Sequence, residues 1–261
     1  MKLYTQWQAK IKERILLIED IYNIYPIAWI SKSQVFLDYV SSVGSEEVFL
    51  VADFASGEYD RVPTFFVNLL PELNQSGPAR TVVYCTDLHA LRLDSLMGKL
   101  EESDLLNEVR VVHAKLETMD DDAIFRPDMI AHLESNSDAM IRLDRHLIEK
   151  KFIPKESFDI GILNNDVVGY LHEYYKEYSD VALSLQKVYK VLKKGALLVV
   201  TKPCSLYLVD NVKVLESLGF KYLDGKDIDL SDGSITALER HTEPHSMSRL
   251  GHYTFLIFVR E

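Results

Sequence analysis

Basic charge is scarce in this 261-residue chain: 29 lysines and arginines stand against 40 aspartates and glutamates, for a net charge of −11. Tight nucleic-acid binding needs clustered Lys and Arg to neutralise phosphates, so a nucleic acid is not the expected partner. The same balance disfavours an anionic membrane surface. Cysteine is almost missing. The two present, Cys85 and Cys204, lie in or just after apolar runs and make neither a disulfide framework nor a zinc pattern, which predicts a reducing, cytoplasmic setting. No apolar run approaches the ~20 residues of a membrane span, and the start, Met1 to Trp7, has no apolar signal core. Glycine-rich phosphate loops are absent too. Without a Walker-type loop a nucleotide triphosphatase is excluded, and without Gly-x-Gly-x-x-Gly a nicotinamide-dependent oxidoreductase loses its fingerprint.

What is present is apolar sequence in short runs. Hydrophobic residues make up 47% of the chain, enough for a sizeable core. Residues 1–44 carry a helical pattern, with Ile11, Ile15, Ile18, Ile21 and Tyr22 at helical spacing. Pro26 interrupts it, and a second helix is predicted from Ser33 to Val43, stopping at Gly44. Strands are predicted at 48–53, 81–87, 109–113, 158–164 and 196–202, with helices between them. The clearest helix runs from Asp180 to Lys194, capped by Ser179, with Lys193 and Lys194 in its last turn and Gly195 beyond. Apolar strands separated by helices predict a parallel sheet covered on both faces. A helix at 212–218, a strand at 221–223 and a last strand at 253–259 with no helix before it predict an antiparallel closing pair. Between the third and fourth of these strands lie about forty residues, 116–157, more than a crossover needs. They are expected to hold a helix over 138–150 and either to act as a lid or in substrate binding or to form an extra surface helix pair.

Two strands end in an acid. Val48-Phe49-Leu50-Val51-Ala52 runs into Asp53-Phe54-Ala55-Ser56-Gly57, and Thr81 to Thr86 ends on Asp87. An acid followed by a small-residue turn starts a nucleotide-handling loop, and two such strand ends give a place for a ribose-bearing cofactor. Gly57 lets the backbone approach a ligand closely, and Asp87 can accept two hydrogen bonds from a ribose diol. The bland alternatives are a helix cap for Asp87 and a purely structural turn for Asp53. Asn164, Asn165 and Asp166 end the fourth strand, either facing the crevice or capping a turn.

In order along the chain, the Asp53–Gly57 loop, Thr86-Asp87-Leu88, Ser157 to Asn165, Val191 to Val200 and the Gly219-Phe220 turn before the last strands resemble the S-adenosylmethionine-dependent methyltransferases. The resemblance spans 45–261. It implies a Rossmann-like mixed seven-stranded α/β sheet with helices on both faces and an antiparallel last strand. It also implies an N-terminal helical cap over 1–44 and a helical insertion at about 116–157. The implied cofactor is S-adenosylmethionine, held by Asp53, Ala55, Ser56, Gly57, Asp87, Leu88, Lys115, Leu116, Asn164 and Asn165. The implied acceptor is a small molecule or a protein side chain. Three positions depart from the family pattern: Ala55 and Tyr59 replace loop glycines, and Lys115 follows the third strand where an acid or polar residue often stands. They support an alternative, a methyltransferase-like binding or scaffold module without catalysis.

Tyr170, Tyr174 and Tyr178 share a helical face, with His172 beside them. Aromatics attract a sulfonium and a histidine can serve as a base, so Tyr170 and His172 are the catalytic candidates, against ordinary packing and a solvent-facing histidine. His241, Glu243, His245 and His252 do not match a metal-ligand spacing, and no metal is expected.

Overall fold

The computed structural model describes residues 18–43, 48–74, 77–173, 181–201, 208–239 and 251–261. The patterns at Ile11 and Ile15, Gly44, Tyr174, Tyr178, Ser179, Cys204, His241, Glu243 and His245 lie outside these residues, as does the side chain of His172.

The chain enters through helix α1 (Ile18–Ile24), a 3-10 turn (Pro26–Lys32) and helix α2 (Gln34–Ser42). Pro26 starts the 3-10 turn, and Ser33 caps α2 by accepting from the Phe36 amide. These residues are not peripheral. Tyr25, Ala28, Ile30, Phe36 and Val40 are fully buried in the same apolar cluster as the sheet. The Ser33 hydroxyl donates to Asp224 Oδ2 at 2.6 Å, and Tyr39 donates to the Asp159 carbonyl at 2.9 Å.

A single sheet follows. Its strands are β1 (Val48–Phe54), β2 (Arg80–Asp87), β3 (Val109–Ala114), β4 (Ala123–Phe125), β5 (Phe158–Leu163), β6 (Leu192–Thr201), β7 (Phe220–Asp229), β8 (Ile235–Ala237) and β9 (His252–Arg260). The order across the sheet is β4-β3-β2-β1-β5-β6-β9-β7-β8. From β3 to β6 all pairings are parallel. β9 is antiparallel to both β6 and β7, so the last strand lies between its two predecessors. The sheet therefore has nine strands, not seven. The two extra ones, β4 and β8, are three-residue antiparallel strands at the edges, too short to leave a periodic signal. Every residue of β5 is buried, the pattern of a strand covered on both faces. There Gly161 is required by packing, because a Cβ would stand 2.8 Å from the Phe54 ring.

The helix predicted to reach Lys194 ends earlier. It runs Val181–Val191, and β6 begins at Leu192. Lys193, Lys194 and Gly195 form the bulged start of that strand: Phe158 pairs with Leu192, but Ile160 pairs with Leu197. Gly195 takes a φ of 81°, and Lys193 pairs with Asp159 at 2.8 Å. Likewise β7 is ten residues, held in register by β9, where the sequence pattern shows three.

The long insertion holds β4, two helices, Pro127–Ser135 and Arg142–Lys150, and a 3-10 turn between them. It is docked by a buried polar network. The Arg110 guanidinium meets both Asp144 carboxylate oxygens at 3.0 Å, and both side chains are fully buried. Tyr84 donates to Asp144 at 2.6 Å, the Ile141 amide donates to its other oxygen, and Arg110 also reaches the Ala139 carbonyl. Burial first, then the adjacent carboxylate, raises the Tyr84 hydroxyl well above its ordinary pKa, so it stays a donor.

Candidate functional site

The order of the strands reverses at β1, which has β2 on one side and β5 on the other. In open α/β sheets ligands bind outside the carboxyl ends of the strands at such a reversal. Here a cavity of about 400 Å³ opens at the ends of β1, β2, β3 and β5. That volume suits one cofactor-sized ligand.

The β1 loop forms one wall with Ala55, Ser56 and Gly57. Its shape needs left-handed backbone at two places, Ala55 (φ 56°) and Gly57 (φ 63°). Gly57 takes this without strain. Ala55 does not, so the chain keeps a glycine-type turn with an alanine in it. The loop is fixed to β2: the Ser56 amide donates to the Thr86 carbonyl at 2.9 Å, and the Gly57 amide to Asp87 Oδ2 at 2.9 Å. The other Asp87 oxygen accepts from the His89 amide at 2.7 Å. Asp87 thus shapes the loop and also lines the cavity. The cap-like contacts to backbone amides leave both oxygens with further lone pairs.

Leu88 and Leu116 line the cavity, and so do Asn164 and Asn165. His113 Nε2 lies 3.0 Å from the Leu88 carbonyl and ties the ends of β2 and β3 together. Beyond β5 the chain makes two successive left-handed residues, Asn165 (φ 65°) and Asp166 (φ 68°), residue types that tolerate this region. Thr201 at the end of β6 holds the turn: its hydroxyl accepts from the Asn165 amide and donates to Asn164 Oδ1 at 2.6 Å. Tyr170 follows on the helix Val167–Glu173, half-exposed on the cavity wall.

Two expected ligand residues are placed elsewhere. Lys115 is exposed and outside the lining, because the pleat that turns Ala114 and Leu116 inward turns it outward. Asp53 is 1% exposed and lies behind the loop, not on the cavity wall. Its Oδ1 is buried with no hydrogen-bond partner. Burial first, then the Asp87 charge, raises its pKa well above the carboxylate range. The 116–157 segment is not a lid over this cavity. Of it, only Leu116 and Glu117 reach the wall, and its helices dock on β2 and β3 through Asp144.

Sequence reasoning missed Glu58, His89, Arg92 and Glu117. His89 and Arg92 stand three apart at the start of the helix Ala90–Glu102, on one face, which was a signal available after Asp87. Tyr59 does not plug the site. Its ring stands 3.7 Å from where a Gly57 Cβ would be and forms part of the wall, 52% exposed, with Lys99 and Arg61 within 6 Å of its centroid. The lining carries the acidic side chains Glu58, Asp87 and Glu117 against the one guanidinium of Arg92. Among the described residues no cluster of His, Cys, Asp and Glu is arranged to hold a metal ion, and no helix is long and apolar enough to cross a membrane.

No family model matches the chain, and no curated protein matches it in sequence. Solved structures do match. The carbon methyltransferase CurJ superposes over 92% of this chain and 55% of its own, with a TM-score of 0.52 and 12% identity. A protein described as a sarcosine dimethylglycine methyltransferase, from Galdieria sulphuraria, superposes over 90% of this chain and 86% of its own, with a TM-score of 0.51 and 11% identity. With its parallel half, its reversal at β1 and its last strand inserted antiparallel between β6 and β7, the chain has the Rossmann-like fold of the S-adenosylmethionine-dependent methyltransferases, in a divergent form.

Proposed function

We propose that the protein is an S-adenosylmethionine-dependent methyltransferase acting on a small molecule or a protein side chain. The observation that carries this is the cavity at the reversal of strand order, sized for one cofactor and lined by three carboxylates against one guanidinium. S-adenosylmethionine has a net positive charge, from a sulfonium and an ammonium against one carboxylate. A nicotinamide dinucleotide brings two negative phosphates and finds neither a glycine-rich phosphate loop nor an excess of cations here.

The residues fit the cofactor. The left-handed Gly57 leaves the loop backbone open to close approach. Asp87 would accept from ribose hydroxyls with the lone pairs its two backbone donors leave free. Leu88, Ala114 and Leu116 give an apolar slot for the adenine. When bound, the cofactor supplies an electrophilic methyl group, and the protein's share is orientation and exclusion of water. The Asn164–Asn165 turn, held by Thr201, faces the reacting end and can position an acceptor through its amides. Tyr170 offers an aromatic face there. A second reading, a methyltransferase-like module without turnover, is favoured by Tyr59, which narrows the loop side of the wall where family members have glycine.

The test is calorimetric titration with S-adenosylmethionine and S-adenosylhomocysteine, with NADH as control. Micromolar binding of both sulfur ligands is expected, weakened at least tenfold in Asp87→Ala, because two or more hydrogen bonds to a charged acceptor are lost. No binding at millimolar ligand sinks the reading. Binding without methyl transfer to any acceptor in a broad panel moves the protein to the scaffold class.

A further inference from the structure

Beneath the loop lies a polar group that the proposed reaction does not use. Asp53 is the penultimate residue of β1, is 1% exposed, and leaves Oδ1 buried with no partner. Among the described residues no lysine or arginine forms an ion pair with it. Its strand partners are Cys85 on β2 and Ile162 on β5. Parallel pairing puts Asp53, Cys85 and, two residues on, Asp87 on one face of the sheet. Asp60, at the start of the helix Arg61–Thr64, is buried 3% exposed on that side and within electrostatic reach of Cys85. β5 presents no titratable group between Ile160 and Leu163. Asp53 therefore has a carboxylate, Asp87, and a thiol, Cys85, for electrostatic neighbours, and no ion-paired cation among the described residues. From the cavity, Glu58, Glu117, Tyr59, Tyr170, His89 and Arg92 are the remaining titratable or charged groups.

A buried carboxylate in that setting is stable as the neutral acid, because ionising it requires charge in a dry site beside like charge. A cation in the cavity changes the balance. Asp87 lines the cavity and is electrostatically coupled to Asp53, so a positive ligand against Asp87 and the Ala55–Gly57 loop acts on Asp53 as well.

We propose that Asp53 is a charge-sensing specificity residue: neutral in the ligand-free protein, it gives up its proton when a cation enters the adjoining cavity, and so makes the site favour the sulfonium cofactor over its uncharged thioether product. This rests on the proposed function. The proton goes to solvent; no bond to carbon or sulfur is involved. The methionine ammonium and carboxylate are common to cofactor and product, so their effects cancel in the ratio of the two affinities and the sulfonium charge remains. By linkage, the preference for the cofactor grows as pH rises through the Asp53 value and falls below it. A unit charge in the cavity, acting at an effective dielectric of about 20 and screened by solvent, is expected to change that ratio about tenfold.

The experiment is the dissociation constants of S-adenosylmethionine and S-adenosylhomocysteine from pH 5 to 9, in buffers of different ionisation enthalpy. The variants are wild type, Asp53→Asn, His89→Gln and the double variant. Carboxyl-carbon NMR of the ligand-free protein locates the Asp53 titration. The expected result has three parts. The Asp53 signal titrates above the ordinary carboxylate range. The affinity ratio climbs about tenfold with pH in wild type and in His89→Gln but stays flat in Asp53→Asn. At most about half a proton more is released on binding the sulfonium ligand than on binding the thioether, just below the Asp53 value, and none in Asp53→Asn. Parallel ratio curves in wild type and Asp53→Asn overturn the proposal while leaving cofactor binding intact, and so does a slope lost in His89→Gln alone or an Asp53 signal titrating near pH 4. Failure of either ligand to bind overturns the functional reading and this proposal with it. Asp53→Asn is nearly isosteric, and a thermal melt confirms that it is folded.

Discussion

Asp144 and Asp53 are both buried carboxylates on the same sheet, and the contrast between them separates architecture from function. Asp144 has a guanidinium, a phenol and a backbone amide on its two oxygens. Asp53 has an oxygen with no partner and a second carboxylate for a neighbour. The first lies where the insertion docks on β2 and β3, the second behind the loop at the cavity. The satisfied carboxylate holds two parts of the fold together, whereas the unmet one lies where the charge of a ligand can act on it.

The largest expected effect breaks the satisfied half of this contrast. Asp144→Ala leaves Arg110 charged, buried and unpaired, and is expected to cost about 3–5 kcal/mol in urea unfolding. The triple change Arg110→Met, Asp144→Leu, Tyr84→Phe removes the charges together and should recover most of that loss. If Asp144→Ala is nearly neutral, the network is not what docks the insertion.

The next effect has the opposite sign. The folded pKa of Asp53 is raised above its unfolded value near 3.9. Its favourable contribution is complete below that value and is lost as pH rises towards the folded one, so it disfavours the fold at neutral pH. Asp53→Asn should therefore be more stable than wild type by at least about 1 kcal/mol at pH 7, with the gap closing towards pH 4. A pH-independent difference between the two proteins would show that Asp53 is satisfied after all. The smallest effect concerns strain alone. Ala55→Gly relieves a left-handed alanine but adds freedom to the unfolded chain, for a net gain of about 0.5 kcal/mol in thermal or urea unfolding. A loss of stability would mean that the Ala55 methyl packs in the loop by more than the strain it carries.

Much of this arrangement could be anticipated along the chain. β1, β2, β3 and β5 are apolar runs a few residues long, and their ends lie within a residue or two of expectation because a polar residue, Asp53, Asp87 or Asn164, stands within one residue of the end of β1, β2 and β5. Edge strands β4 and β8 left no trace, since three residues carry no period. The start of β6 reads as a helix end because Lys193-Lys194-Gly195 is a good helix terminus locally, and only the pairing of Leu192 with Phe158 and of Lys193 with Asp159 overrides that. In the site, Ala55, Ser56, Gly57, Asp87, Leu88, Leu116, Asn164 and Asn165 line the cavity, while Lys115 and Asp53 do not.

By itself the sequence determined the alternation of buried strands and helices, the two acids at strand ends and the excess of negative charge, because these follow from periodicity, composition and local turn chemistry. The tertiary structure alone decided which residues share a wall. Arg92 and Glu117 meet the β1 loop only because β1, β2 and β3 lie side by side. Asp53 lost its hydrogen-bond partners and its water only when the loop closed over it. Direction of a side chain, burial and the company of distant charges are properties of the packed sheet, and no local pattern in the chain encodes them.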